Sequence, residues 1–299
     1  MPSKPAFARR GRALLPGQRS ELTVIHADGT GRRVVLVADE IIEAPNWTAD
    51  GMLIFNAGGQ LWRIPAEGGA EPVLIDTAPL ADLNNDHVLA PDGRSIYVSS
   101  DDSHLYVLPI GGGTPKRISN EHPERHHYYL HGVSPDGRTL VHTGVNTRDG
   151  NRWGYVNIWT IPAAGGPDTQ LTDSTRPDDG AEYTPDGQWI WFNSELASPG
   201  HAQIFRMRPD GSEVTQVTID ERVNWFPHFS PDGQSIVYLS YPEGTQGHPP
   251  DKAVILRFMR PDGTGRRDVV AFNGGQGTIN VNSWAPDSRR FAYVAYPIG

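Results

Sequence analysis

One short turn recurs along the chain and constrains its fold more than any other feature. It reads Pro-Asp-Gly or a close variant, and its six copies carry Asp50, Asp92, Asp136, Asp186, Asp232 and Asp287. These aspartates follow one another at intervals of 42 to 55 residues. Such a period is typical of the four-stranded blade of a β-propeller. The repeat therefore predicts a ring of six blades.

A second set of six glycine-containing turns alternates with the first, at 27–31, 66–69, 111–113, 164–166, 208–211 and 260–263. Short runs such as SIYVSS separate the turns, and their alternation and β-branched or aromatic residues are typical of strands. Each unit therefore contains four strands, A to D. The chain opens on a C–D hairpin (21–37) and closes on an A–B hairpin (285–296). We expect these two hairpins to complete one blade and close the ring.

Composition agrees with this fold and excludes several functions. The 33 glycines and 26 prolines favour many short strands and turns. A net charge of -9 disfavours nucleic acid as a partner, and the absence of cysteine excludes thiolate metal ligands. No segment has the length and apolarity of a membrane span or a signal peptide. We expect a cytoplasmic protein, with a flexible tail at 1–20 and a single propeller domain at 21–299.

The repeat x-(W/F)-(S/T)-P-D-G-x-x-(I/L)-x-(F/Y) is nearly complete at Glu182–Phe192 and His228–Tyr238. It resembles the WD40-like (PD40) repeat of TolB-type propellers, and the resemblance extends over residues 21 to 297. The resemblance implies an all-β, six-bladed β-propeller with four-stranded antiparallel blades. The repeat pattern of this chain is also distantly similar to that of the oligogalacturonate lyases, which are metal-dependent. Their propeller has seven blades, however, and their metal ligands do not match this sequence residue by residue. No GxSxG nucleophile elbow is present, which excludes the related peptidases.

The segments that enter the A strands should meet at one mouth of the central channel, and they are rich in histidine, carboxylate and amide groups. The predicted ligand-binding residues are Asn84, Asn85, Asp86, His127, Asp178, Asp179, Asn224, Trp225, Gln276 and Asn280. The two longest B–C loops, 143–157 and 240–254, fall on the same face, and long loops on a rigid scaffold often carry function. Flanking aromatic residues are expected to offer surfaces for stacking of sugars: Tyr128, Tyr129, Trp153, Trp225 and Phe226.

Three histidines on different strands, His87, His131 and His228, are predicted to bind a divalent metal such as Mn, Ca or Zn. The alternative is that they are hydrogen-bonded linings of the channel. No organic cofactor is expected. If the protein is an enzyme, its candidate catalytic residues are His131, His228 and Glu182, in a metal-assisted carbohydrate lyase or hydrolase reaction.

Three functions fit the sequence. The first is binding of a small polar ligand at the channel mouth, expected to be a sugar or sugar acid, with or without turnover. The second is a non-catalytic sensor with the same rim. The third is a scaffold of the TolB type that captures a peptide or protein partner, and the polar rim disfavours it, because such a scaffold needs an exposed apolar patch.

Overall fold

The computed structural model describes residues 12–146 and 155–299. Within these ranges the chain forms only β-strands, and no helix is long and apolar enough to cross a membrane. The strands of the first three complete blades are β3 (Glu43–Trp47), β4 (Met52–Ala57), β5 (Gln60–Pro65) and β6 (Val73–Leu74); β7 (Leu83–Leu89), β8 (Ser95–Ser100), β9 (Leu105–Pro109) and β10 (Lys116–Arg117); β11 (His126–Val133), β12 (Thr139–Asn146), β13 (Tyr155–Pro162) and β14 (Thr169–Gln170).

The next two blades have the same order. Their strands are β15 (Asp178–Tyr183), β16 (Ile190–Ser194), β17 (Gln203–Met207) and β18 (Thr215–Gln216); β19 (Val223–Phe229), β20 (Ile236–Tyr241), β21 (Lys252–Met259) and β22 (Arg267–Gly274). All five sheets are antiparallel and four-stranded, as the repeat predicted.

The sixth blade closes the ring by joining the two ends of the repeat. In it, β1 (Ser20–His26) lies between β2 (Arg33–Ala38) and β23 (Arg290–Ala295). Six residue pairs join β1 to β23, from Glu21 opposite Ala295 to His26 opposite Arg290. A single bridge from Trp284 to Phe291 stands in the position of the inner strand. The predicted pairing of the first and last hairpins is therefore confirmed.

The recurring turn has a simple physical basis. At its third copy the Asp136 carboxylate accepts hydrogen bonds from the Ser134 hydroxyl, at 2.6 Å, and from the Arg138 amide, at 3.0 Å. Gly137 follows with φ of 72°, a conformation that costs glycine little because it has no Cβ. The same bonds recur around Asp186 and Asp232. Local chemistry thus fixes each A–B hairpin, and the blades then pack through apolar faces.

Each of the five inner strands β3, β7, β11, β15 and β19 contains a β-bulge. The pairing register shifts between Glu43 and Asn46, Leu83 and His87, Leu130 and Gly132, Asp179 and Glu182, and Trp225 and His228. A bulge adds an unpaired residue and re-aims the side chains around it, often beside a functional site. Asp86, His131 and Phe226 lie within these bulges, so the same irregularity recurs wherever an inner strand reaches the channel.

Part of the predicted tail contacts the propeller. The Arg12 guanidinium donates hydrogen bonds to Asp251 Oδ1, at 2.9 Å, and to the Gln276 carbonyl, at 3.0 Å, and lies 4.1 Å from the centre of the Tyr296 ring. Gln18 Nε2 donates to the Tyr296 carbonyl at 3.0 Å. The segment from Arg12 to Gln18 therefore lies against the closing blade. The domain boundary at residue 20 stays a prediction.

Candidate functional site

A cavity of about 570 Å³ occupies the channel mouth on the face where the inner strands begin. Seven of the ten predicted ligand-binding residues line it, and so does His131. The seven are Asn84, Asn85, Asp86, Asp179, Trp225, Gln276 and Asn280. The sequence therefore identified most of the polar lining, because these residues precede or begin the inner strands of a closed ring.

The centre of the cavity is a histidine between two carboxylates. His131 Nε2 lies 3.0 Å from Asp179 Oδ1, and the His131 side chain is buried while that of Asp179 is 14% exposed. The Thr143 hydroxyl donates to the same carboxylate oxygen at 2.7 Å. These contacts hold the His131–Asp179 pair in one geometry. Asp86 approaches His131 from a neighbouring inner strand.

The charges of this group depend on one another. Burial would lower the pKa of His131, but the charges of Asp86 and Asp179, with the hydrogen bond that His131 donates to Asp179, raise it to about 9. Burial would likewise raise the pKa of Asp179, but the hydrogen bond and charge of His131 outweigh it and lower this pKa to about 2. His131 is therefore an imidazolium at neutral pH, paired with an ionised Asp179.

Asp86 behaves differently from Asp179. Burial raises its pKa to about 7, His131 opposes the shift, and the carboxylates of Asp179, Glu43 and Asp101 reinforce it. Asp86 is only 5% exposed, and its carboxylate receives no hydrogen bond from residues 12–146 or 155–299. Two carboxylates on one histidine thus have widely separated pKa values, an arrangement that suits proton transfer.

An aromatic wall faces part of the cavity, formed by Tyr129, Trp225 and Phe226. The ring centre of His248 lies 4.5 Å from that of Trp225 and 5.3 Å from that of Phe226. His248 Nδ1 is 2.5 Å from Gln276 Oε1, and burial lowers the pKa of this histidine. Sequence reasoning did not list His248. Its position in the long 240–254 loop was the available signal.

Three predicted ligand-binding residues are absent from the cavity lining. Asp178 is next to Asp179 on β15, and successive side chains of a strand point to opposite faces. Asn224 is fully buried and bonds Gln203 of the preceding blade and Ser240 of its own blade. His127 contacts Ser103 and Arg125. Of the five predicted stacking residues, Tyr128 is also absent from the cavity lining, and Trp153 lies outside the described residues.

The structure does not assemble the predicted metal set. Both ring nitrogens of His228 are engaged, Nδ1 at 2.6 Å from Glu182 Oε2 and Nε2 at 2.6 Å from the Ile279 carbonyl. His87 Nδ1 lies 2.6 Å from Asn46 Oδ1. Across the described parts of the chain, no group of three or more histidines and carboxylates is arranged to hold a metal ion. The residues present therefore do not fit a metal at this position.

Two of the predicted catalytic residues are structural in these surroundings. The Glu182 carboxylate accepts hydrogen bonds from the Phe229 amide, at 3.0 Å, and from Asn282 Nδ2, at 2.7 Å, as well as contacting His228. Its oxygens are thus committed to joining neighbouring inner strands. Of the three predicted catalytic residues, His131 is the one that lines the mouth cavity. The alternative that His87 and His228 are hydrogen-bonded channel linings agrees with these contacts.

Comparisons with known proteins agree with the architecture. The family model described as "TolB beta propeller domain" matches residues 132–253. A protein of Agrobacterium fabrum described as uncharacterized is 37% identical over 284 residues, which is 93% of this chain and 92% of that protein. The Tol-Pal system protein TolB of Francisella tularensis is 25% identical over 90% of this chain, which spans only 60% of that protein.

Two solved structures extend the comparison. The structure of putative TolB from Agrobacterium tumefaciens has a TM-score of 0.85 and 37% identity, over 94% of this chain and 99% of that chain. Oligogalacturonate lyase in complex with manganese has a TM-score of 0.56 at 14% identity, over 84% of this chain and 72% of that chain. The second likeness is one of fold alone.

Proposed function

Because the chain belongs to the family of TolB-like β-propellers, a fold that does not by itself determine function, we propose that its own cavity defines its activity: it binds a small polar ligand at the channel mouth, between Asp86, His131 and Asp179. The observation that carries this proposal is Asp86, a residue only 5% exposed that lines the cavity and whose carboxylate receives no hydrogen bond from the described residues. A carboxylate is an acceptor of several hydrogen bonds, and a ligand in the cavity would supply the donors.

The cavity has the properties of a small-molecule site. Its volume of about 570 Å³ lies within the range of roughly 300–1,000 Å³ that such sites occupy. Asn84, Asn85 and Gln276 offer amide donors and acceptors, and Trp225 offers a flat apolar ring. The hydroxyl groups of a carbohydrate can hydrogen-bond these amides, and the apolar face of its ring can stack on Trp225. A carbohydrate is therefore a proposed ligand. The excess of carboxylates disfavours a sugar acid.

No divalent metal is part of this proposal, since His228 is fully engaged and, within residues 12–146 and 155–299, the other histidines do not form a ligand set with it. Elemental analysis of protein purified without a histidine tag and without chelator tests this part directly. We expect no stoichiometric Mn, Ca or Zn. A stoichiometric metal that is lost in His131→Ala would contradict it.

The binding proposal is tested with a panel of neutral, acidic and basic metabolites, screened by ligand-observed NMR. We expect at least one compound to bind with a Kd below about 1 mM. Asp86→Asn should weaken this binding at least about tenfold, because it replaces an acceptor-only group by an amide. Gln234→Ala, an exposed position in a Pro-Asp-Gly turn outside the cavity lining, is the matched control and should leave the Kd unchanged.

Two results would contradict the binding proposal. One is a panel in which nothing binds the wild-type protein at millimolar concentration. The other is a bound compound whose Kd is the same in the Asp86→Asn and Gln234→Ala variants. Thermal unfolding of each variant shows whether a lost affinity reflects a lost fold.

Proton-transfer catalysis is a second candidate function of the same cavity. It is favoured by the separation of the two carboxylates, with the pKa of Asp86 raised to about 7 and that of Asp179 lowered to about 2. A carboxylate that titrates near neutral pH is suited to act as a general base, while Asp179 keeps His131 charged. NMR of a bound ligand over time, with wild type and Asp86→Asn, tests it. Slow conversion at an equal rate in both proteins would exclude Asp86 as the base.

A further inference from the structure

We infer that the ligand of the mouth cavity carries a positively charged amino group, held by Asp86 and by the aromatic wall of Tyr129, Trp225 and Phe226. This inference rests on the proposed binding function and adds the chemical class of the ligand. It favours amines and amino sugars over neutral sugars, and it excludes sugar acids.

The charge balance of the lining is the first argument. Three carboxylates of the described residues line the cavity, those of Asp86, Asp179 and Glu195. The positive charge among them belongs to His131, which lies 3.0 Å from Asp179. Glu195 accepts a hydrogen bond from the Gly200 amide but forms no ion pair with the described residues. The described part of the lining therefore has more negative than positive charge, and such a concave surface attracts cations.

The buried state of Asp86 is the second, independent argument. A charge cluster on a solvated surface would be hydrated, whereas Asp86 is 5% exposed and its carboxylate has no hydrogen bond within the described chain. An ammonium group has three N–H donors and no acceptor, so it is the natural complement of an acceptor-only carboxylate. A hydroxyl supplies one such donor and no charge.

The aromatic wall is the third argument. Ammonium groups are attracted to the faces of Trp, Tyr and Phe, and the attraction increases when the site is shielded from water. Trp225 and Phe226 are buried, Tyr129 is half-buried, and all three line the same cavity as Asp86. A carboxylate beside several aromatic rings favours primary or alkylated amines and repels carboxylates.

The neighbouring cavity contains a cation of the protein itself. This second cavity, about 420 Å³, shares Asn84, Asn85 and Gln276 with the first and is lined by Glu43. The Arg12 guanidinium lines it and is already bonded to Asp251. The fold therefore places a positively charged guanidinium on this face, in the second cavity. The first cavity contains no lysine or arginine among its described lining residues.

Three ligands of equal size separate charge from shape: benzylamine, benzyl alcohol and benzoate. We expect the affinity of wild-type protein, measured by ligand-observed NMR at about 10 mM ligand, to be at least about tenfold higher for benzylamine than for benzyl alcohol, a difference of roughly 1.4 kcal/mol. Benzoate should bind most weakly. Asp86→Asn should reduce the preference for the amine to less than about threefold, and Gln234→Ala should not change it.

Tyr129→Leu is the second test variant, because it removes one ring and leaves every carboxylate in place. It should lower benzylamine affinity more than benzyl alcohol affinity, since a cation gains more from an aromatic face. Equal binding of the amine and the alcohol, tightest binding of benzoate, or no binding of benzylamine would each overturn the inference. A neutral metabolite that binds in the panel above and depends on Asp86 would overturn it too, while leaving the proposed function intact.

Discussion

His87 and His131 lie on neighbouring inner strands and are both buried, yet their pKa values shift in opposite directions. Burial alone acts on His87, whose described polar neighbour is Asn46, and lowers its pKa to about 3. At His131 two carboxylates outweigh burial and raise the pKa to about 9. At neutral pH the same residue type, at similar depth, is therefore a neutral lining group in one place and a cation in the other.

Asp179→Asn should lower the pKa of His131 from about 9 toward its ordinary value of 6.5, since it removes a negative charge and the ionic hydrogen bond. Titration of the imidazole by NMR measures this change. Asp178→Asn is the control, because Asp178 bonds Ser194 and Thr172 instead and its substitution should leave the titration of His131 unchanged.

The sign of the effect on folding follows from the same shift. A histidine whose pKa is raised in the folded state stabilises the fold fully below pH 6.5, and this contribution is lost as the pH rises from 6.5 to about 9. An equal pKa for His131 in the wild-type and Asp179→Asn proteins would contradict the assigned pairing.

At the scale of residues, the sequence predicted which residue types lie at the rim, but not where their side chains point. It could place Asp178 and Asp179 together at the rim, because both precede a turn motif, but the alternation of β15 sends only Asp179 into the cavity. Likewise it could not show that both nitrogens of His228 are already bonded, because the partners are Glu182, on β15, and Ile279, in the segment after β22, and both are distant in sequence. Hydrogen bonding across blades has no local sequence signal.

At the scale of the elements, the blade of β11 to β14 contains a cluster of histidines, of which His126 and His142 are buried and His122 is half-buried. The rings of His122 and His126 stack at 4.2 Å, and His142 lies 4.7 Å from Tyr128. Burial lowers the pKa of His126 to about 4 and that of His142 well below its ordinary value. These two rings are therefore neutral in the fold and gain a proton on unfolding in mild acid.

His126→Gln should make the protein less sensitive to acid. In the wild type the unfolded chain binds a proton at this position below pH 6.5 while the folded chain does not until about pH 4, so stability falls with the pH in that window. One such group contributes about 1.4 kcal/mol per pH unit. Urea unfolding of both proteins at several pH values from 4.5 to 7 measures the two slopes. Identical slopes would contradict the prediction.

The bulges of the inner strands carry a prediction of their own. Gly180, in the bulge of β15, has φ of 66°, and a Cβ there would lie 2.5 Å from Asn193 Oδ1 and 2.8 Å from the Phe226 ring. Asn193 in turn accepts a hydrogen bond from the Phe226 amide. Gly180→Ala should therefore destabilise the fold by about 2–4 kcal/mol, through both strain and overpacking, and distort the aromatic wall.

Gly244→Ala is the matched control for this change. Gly244 has a similar φ of 74°, but an added Cβ would meet no atom within 4 Å. It should cost only the conformational strain, about 1–2 kcal/mol. Urea unfolding gives both values, and equal losses would show that the close contacts at Gly180 relax without cost.

The turns were predictable where the bulges were not. Each Pro-Asp-Gly turn is specified by three or four adjacent residues, as the bonds around Asp136 show. A bulge depends on how two strands pair, and the extra residue in Leu130–Gly132 is not distinguishable from its neighbours in sequence. The number of blades could therefore be read from the chain, whereas the exact aim of the site residues could not.

For the whole molecule, stability depends on closing the ring. Leu22 on β1 is fully buried and packs in one cluster with Leu53 of the next blade and Val294 of β23. It therefore joins the beginning of the chain, its end and the adjacent blade. The core is a set of such clusters around the ring, and each depends on its neighbours.

Leu22→Ala should destabilise the whole propeller by about 2–5 kcal/mol, the range for a fully buried leucine. Leu196→Ala, at a position 51% exposed, should change stability by less than about 0.5 kcal/mol. Urea unfolding monitored by tryptophan fluorescence compares them. A loss below about 1 kcal/mol for Leu22→Ala would mean that ring closure contributes little to stability.

Because the closing blade joins the two ends of the chain, the order of the blades around the ring does not depend on which blade contains those ends. The Gly299 amide donates a hydrogen bond to the Gly17 carbonyl at 3.0 Å, and Gln18 pairs with Ile298. A circularly permuted chain, in which a short glycine linker joins residue 299 to residue 17 and the new ends lie in the 111–113 turn, is expected to fold into the same ring. Its seam would simply move to another blade, with the mouth cavity preserved.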